Sequence, residues 1–141
     1  MSRIVLISCV SKKLDRRAKA GGLYISPLFK YNLKYARSLS PDKIFILSAK
    51  YGLIELEEEI EPYDQTLNKM SKKERKEWAG KVLTQLNKVS GLSRDEFIFL
   101  AGKNYREFLL PQIQNYKIPM FGLGIGRQLK FLKENVAGNN L

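Results

Sequence analysis

Histidine is absent from all 141 residues, and cysteine occurs once, at Cys9. Without an imidazole the chain can run neither Ser-His-Asp nor Cys-His nucleophilic catalysis, nor His-based acid-base chemistry, nor an HExxH metal site. A single thiol forms no internal disulfide, and with no histidine beside it the usual zinc ligand sets are missing too. No metal and no cofactor are therefore expected, and any catalysis would rest on carboxylate, lysine, tyrosine, serine, cysteine or backbone amides. Cys9 sits at a strand end, where an ordinary buried thiol explains it at least as well as a peroxide sensor does.

Long hydrophobic runs are also lacking. Ile4–Ile7 and Ile44–Leu47 fall far short of the roughly 20 residues that a membrane-crossing helix needs, and no export signal precedes the first strand-like segment, so a cytoplasmic protein is expected. Acid is scarce: 25 Lys and Arg face 14 Asp and Glu, a net charge of +11. Residues 1–50 hold 11 basic and 2 acidic side chains and residues 68–141 hold 14 and 6, whereas residues 51–67 hold 6 acids and no base. With 6 of the 14 acids gathered in that one short segment, the rest of the chain is left strongly positive. A polyanion is the natural partner of such a surface, because each phosphate neutralised releases counterions. Nucleic acid, DNA foremost, or a nucleotide is the expected partner.

What is present reads as an α/β pattern. Ile4-Val5-Leu6-Ile7, Lys43–Leu47 and Phe97–Ala101 are apolar, β-branched or aromatic runs without polar alternation, as expected of strands covered on both faces. Ile118–Phe121 is a weaker fourth. Ser26-Pro27 opens a helix carrying Phe29, Leu33 and Ala36. Ser71 and Glu74 form a capping box before Trp78, Val82, Leu86 and Val89. Tyr105, Phe108 and Leu109 lie on a short helix that Pro111 should end or kink, and Leu129, Leu132 and Val136 mark a last one. Ser11–Gly22 reads as a long basic loop, and residues 48–64 carry no clear element. The expected fold is a single α/β domain over 1–141, with a mainly parallel sheet of about four strands and helices on both faces in a Rossmann-like three-layer arrangement.

Ligands of such sheets bind beyond the carboxyl ends of the strands, so the loops there supply the candidates. Ser8, Cys9, Lys12 and Lys13 follow the first strand and could hold phosphate or place a nucleophile. Ser48, Lys50, Tyr51 and Gly52 follow the second, ahead of Glu57–Glu59, read as a solvated turn, and of Tyr63 and Asp64. Asp64, Lys50 and Tyr51 are the candidate catalytic groups, with the carboxylate as base or nucleophile. Gly102 and Tyr105 follow the third strand. Gly122, Gly124, Gly126, Arg127 and Gln128 form a glycine-rich turn into a helix, whose free N–H groups and arginine favour an anion. Its GxGxG spacing differs from the dinucleotide fingerprint.

Several of these segments together resemble a known family. Leu47-Ser48-Ala49-Lys50-Tyr51-Gly52-Leu53 followed by Ile60-Glu61-Pro62-Tyr63-Asp64 is similar to the "LSxxYGxL…PY" signature of the peroxide-stress YaaA family. Ile7-Ser8-Cys9 to Lys13, Leu23–Phe29 and Gly122–Leu132 resemble its shorter branch, of unknown function. The resemblance implies an α/β fold, an association with DNA and oxidative stress and, more distantly, kinship with proteins that handle modified bases or nucleoside glycosidic bonds. The expected function is a nucleic-acid-associated domain with a basic pocket for a nucleotide or base. In its enzymatic form it would cleave or transfer at an N-glycosidic bond or modify a base; the alternative is a non-enzymatic DNA-binding protein of the oxidative-stress response.

Overall fold

A computed structural model describes residues 1–8 and 12–136; Cys9, Val10 and Ser11 lie outside the described residues. Strand β1 (Arg3–Ser8) runs through the middle of the sheet, with parallel partners on both sides. β3 (Lys43–Ser48) pairs along one edge in the register Val5 to Ile44, and β6 (Glu96–Leu100) along the other in the register Val5 to Ile98. A short β7 (Tyr116–Lys117) extends the β6 side in parallel, and an antiparallel β4 (Gly52–Glu55) closes the β3 side. The five-stranded order is β4-β3-β1-β6-β7, a mainly parallel α/β sheet as the apolar runs implied.

Side chains leave a strand on alternate faces, so the continuous apolar runs supply two cores. Val5, Ile7, Ile46, Ile98 and Leu100 pack on one face with Phe29 and Ala36 of α2 (Pro27–Ser38) and Leu132 of α5 (Ile125–Val136). Ile4, Leu6, Phe45, Leu47, Phe97 and Phe99 pack on the other with Trp78, Val82 and Leu86 of α3 (Lys72–Val89). Both helix starts follow the sequence. Ser26 accepts from the Phe29 N–H ahead of Pro27, and Ser71 with Glu74 makes the reciprocal capping box. Caps of this kind contribute about 1 kcal/mol each.

Four expectations need correction. Residues 48–64 hold β4 and the short β5 (Glu59–Ile60), and the basic loop holds β2 (Ala18–Lys19) and a one-turn α1 (Ala20–Leu23). β2 and β5 pair antiparallel, while Ala20 and Gly21 donate to the carbonyls of Glu58 and Leu56, so long-range bonds hold a Gly-Gly helix that local preference opposes. The strand expected at Ile118–Phe121 lies instead at Tyr116–Lys117, immediately before that apolar run, which turns through Phe121 N–H to the Ile118 carbonyl. The short helix α4 (Lys103–Arg106) stops before Phe108 and Leu109, and Pro111 lies in a separate 3-10 turn, Leu110–Gln112.

The amino ends of the strands are tied by two carboxylates. Asp95, buried, accepts from the Gly91 and Ser2 N–H groups at 2.8 and 2.9 Å, and these bonds hold its carboxyl below the usual range. Glu96 is lowered chiefly by its bond from Arg3 Nε, with Lys117 adding to it. A carboxyl held low when folded binds more protons once unfolded, so its stabilisation is complete above the ordinary carboxylate value, about 4, and is lost as pH falls below it. Thermal unfolding should accordingly show a steep loss of stability below about pH 4. Asp95→Asn should lower stability at pH 7 by about 1–2 kcal/mol and flatten that acid limb; an unaltered limb would mean that Asp95 is not responsible.

Candidate functional site

β1 is the point from which the sheet is wound both ways. The crossover through α2 leads to β3 on one face, and the return through α3 leads to β6 on the other. The carboxyl ends of β1 and β6 therefore face a gap that neither crossover covers. A cavity of about 590 Å³ occupies this place. Ser8 from the end of β1, Ser26 and Asn32 from α2, and Gly102, Lys103 and Arg106 after β6 contribute polar groups to its wall. Phe29, Phe99, Leu100, Met120, Leu123 and Ile125 make the rest predominantly apolar.

Individual bonds fix this rim. Ser8 Oγ accepts from the Gly102 N–H at 3.2 Å, joining the ends of the two central strands. Tyr105 places its ring in the wall, edge-on to Trp78 at 5.6 Å, while its hydroxyl accepts from the Leu67 N–H. Gln128 Nε2 donates to the Leu123 carbonyl at 2.8 Å, bracing the turn that Gly122 makes with φ +81°. Arg106 donates to the Ala101 carbonyl at 2.6 Å and lies 5.7 Å over the exposed Phe121 ring. Partial burial lowers its pKa, but a guanidinium remains charged at any ordinary pH. Among the described residues no Asp or Glu lines the cavity, so the wall carries cations and neutral polar groups only.

Of the residues singled out in the sequence, Ser8, Gly102, Tyr105, Gly122 and Gln128 meet at this cavity. Gly124, Gly126 and Arg127 are exposed at the start of α5 and do not line it. A second group gathers elsewhere. Lys12 and Lys13 fold back along the chain: Ile25 N–H donates to the Lys12 carbonyl, and Lys13 bridges to Tyr24. The Lys13 ammonium lies 4.5 Å from the centre of the Tyr63 ring, Tyr63 stands edge-on to Tyr51 at 5.7 Å, and Lys50 lies 5.2 Å over Tyr51. Asp64 is exposed beside this cluster in sequence and does not reach the cavity. The three candidate catalytic groups thus stand apart from the recess. The two regions touch through Tyr24, whose ring packs 5.1 Å from that of the cavity-lining Phe29.

Ser48 and Gly52 have local structural reasons for their identity. Ser48 Oγ accepts from the Lys50 and Tyr51 N–H groups, and its carbonyl accepts from Trp78 Nε1. Gly52 turns the chain into β4 with φ +79°, and a Cβ there would collide with Gln85 Oε1, which is bonded to the Leu53 N–H. Asn32, Phe29, Lys103 and Arg106 were not singled out as site residues. Asn32 carried a readable signal, since it lies three residues after Phe29 and four before Ala36, a polar side chain on the apolar stripe of α2.

Gly52→Ala should destabilise the fold by about 1–3 kcal/mol in urea denaturation, through left-handed strain and the displaced Gln85. A loss below about 0.5 kcal/mol would contradict this structural role.

Among curated proteins none matches the chain. The sequence profile of one family, described as a family of unknown function (DUF6884), matches residues 4–134, which takes in the whole five-stranded sheet but for Arg3 and every residue that lines the cavity. The chain belongs to that family of unknown function.

Proposed function

We propose that this chain is a nucleic-acid-associated domain that binds a nucleotide or nucleobase in the cavity at the carboxyl ends of β1 and β6. The observation that carries the reading is the cavity's composition. A largely apolar recess containing Phe29 and Phe99 suits the faces of a base, and Lys103 and Arg106 at its edge suit a phosphate. Its volume, about 590 Å³, falls within the usual range for small-molecule sites. The net charge of +11 would draw a polyanion toward the same molecule. Kinship with the peroxide-stress YaaA family, a role in the stress response and a cytoplasmic location belong to this proposal. Binding is favoured over turnover, because Asp64, Lys50 and Tyr51 lie outside the recess and no described carboxylate lines it.

A second reading, favoured by the charge alone, is a protein that holds duplex DNA on its basic surface and leaves the cavity unused. Gly102 separates the two. It lines the cavity with an ordinary φ of −65°, and a Cβ built on it meets nothing within 4 Å. Gly102→Trp should therefore obstruct the recess and shift Tm by no more than about 3 °C. Nucleotide affinity, measured by calorimetry, should fall at least about tenfold, equivalent to about 1.4 kcal/mol. Unchanged nucleotide affinity in that variant, or none in the parent protein, would overturn the pocket reading. DNA binding that falls steeply with salt yet ignores the substitution would establish the surface reading instead.

A further inference from the structure

Among the described residues, one buried side-chain oxygen in the cavity wall has no hydrogen-bond partner. Asn32 is 3 % exposed, lines the cavity, and its Oδ1 has no hydrogen-bond partner. Buried acceptors without partners are rare, because the group has given up water and gained nothing in exchange. Asparagine is also a poor choice for the interior of a helix, and its neighbours on this stripe, Phe29 and Ala36, are apolar. Leucine there would extend the stripe without stranding an oxygen. The residue is thus a cost to the unliganded fold that an occupant bearing a donor would remove.

We infer that Asn32 is a specificity-determining residue whose carbonyl oxygen receives an N–H from the edge of a bound heteroaromatic base. The inference rests on the nucleotide reading of the cavity and narrows it to bases that carry an edge donor. The terminal torsion of an asparagine is broad, so rotation about it can turn the enclosed oxygen from the wall toward an occupant. Phe29 and Phe99 supply apolar surface for the ring faces, leaving the edge as the part that must be matched by hydrogen bonding. Lys103, exposed at the rim, lies where the phosphate of a 5′-nucleotide could remain in water while its base is enclosed. A site built around a buried polar group rejects an analogue lacking the complementary hydrogen far more strongly than one differing only in apolar bulk, since the loss leaves that group unpaired again.

The test pairs each donor-bearing 5′-monophosphate with a donor-less analogue: adenosine with purine riboside, inosine with 1-methylinosine, and uridine with N3-methyluridine. Calorimetry on the parent protein should show at least one pair in which the donor-bearing member binds about tenfold or more tightly. In Asn32→Leu the preference should vanish, while the Tm of the unliganded protein stays equal or rises, a combination that a merely structural asparagine would not produce. Equal affinity within every pair, or a preference that survives Asn32→Leu, overturns this inference and leaves the nucleotide reading standing. Failure of all six to bind the parent protein overturns both. If Asn32→Leu does not fold, equal affinity within every pair on the parent protein still overturns the inference, and Asn32→Ala takes the place of leucine in the second arm.

Discussion

The rest of the molecule depends on β1 being bonded on both sides to parallel strands whose connecting helices lie on opposite faces of the sheet. A strand in that position must be apolar on both faces, and Ile4 through Ile7 are fully buried. Its carboxyl end must also open into space, because α2 and α3 have already diverged to cover different faces. Ser8 is the residue at that opening, and its bond from Gly102 keeps the two strand ends in register while the cavity forms around them. Placement of the recess is thus a consequence of winding order, and its chemistry a matter of which residues the surrounding loops deliver there.

What could be read from the sequence follows the same division. β1, β3 and β6 and the helices α2 and α3 announce themselves, because each is specified by a local pattern: a doubly buried apolar run, a serine cap before proline, a capping box. β2 and β5 do not, since each is two residues long and exists only because Ala18 finds Ile60 across more than forty residues of chain. β4 was obscured by its acidic continuation, Glu55 to Glu59. Ile118–Met120 misled in the opposite direction: an apolar stretch read as a strand is apolar because Ile118 and Met120 line the cavity, and Pro119 has no N–H to give a ladder.

The candidate site was legible in the loops after β1 and β6, where Ser8, Gly102 and Tyr105 lie, and in the glycine-rich turn into α5, which brings Gly122 and Gln128 although Ile118–Phe121 ahead of it is not a strand. It was misjudged where a motif was conspicuous. In Leu47–Leu53 the serine caps a turn against Trp78, and the glycine adopts a left-handed backbone angle against Gln85. Such demands make a segment recognisable without making it reactive, and Asp64 shows the converse, for a carboxylate beside a well-ordered tyrosine remains exposed and outside the recess. Asn32 was overlooked because helices are searched for apolar periodicity, and a single polar residue on the stripe is easily taken for noise. Only three-dimensional packing distinguishes an asparagine that reaches water at a helix edge from one enclosed beside Phe29.

Charge is arranged with the same economy. The acidic stretch that stands out in the sequence meets the basic loop directly: Lys19 pairs with Glu57 at 2.8 Å, and Arg17 reaches Glu59 and Glu61 at 3.4 and 3.5 Å. These pairs are exposed and screened, so each adds little stability. They do set Glu57, Glu59 and Glu61 against Arg17 and Lys19, so part of the acid in that stretch is taken up by the segment after β1. Lys103 and Arg106 lie on α4 after β6, and Glu107, the acid next to them in sequence, is engaged by Arg75. On the nucleotide reading proposed above, Lys103 and Arg106 would hold a phosphate at the edge of the cavity, charged end outward, with the apolar ring toward Phe29 and Asn32.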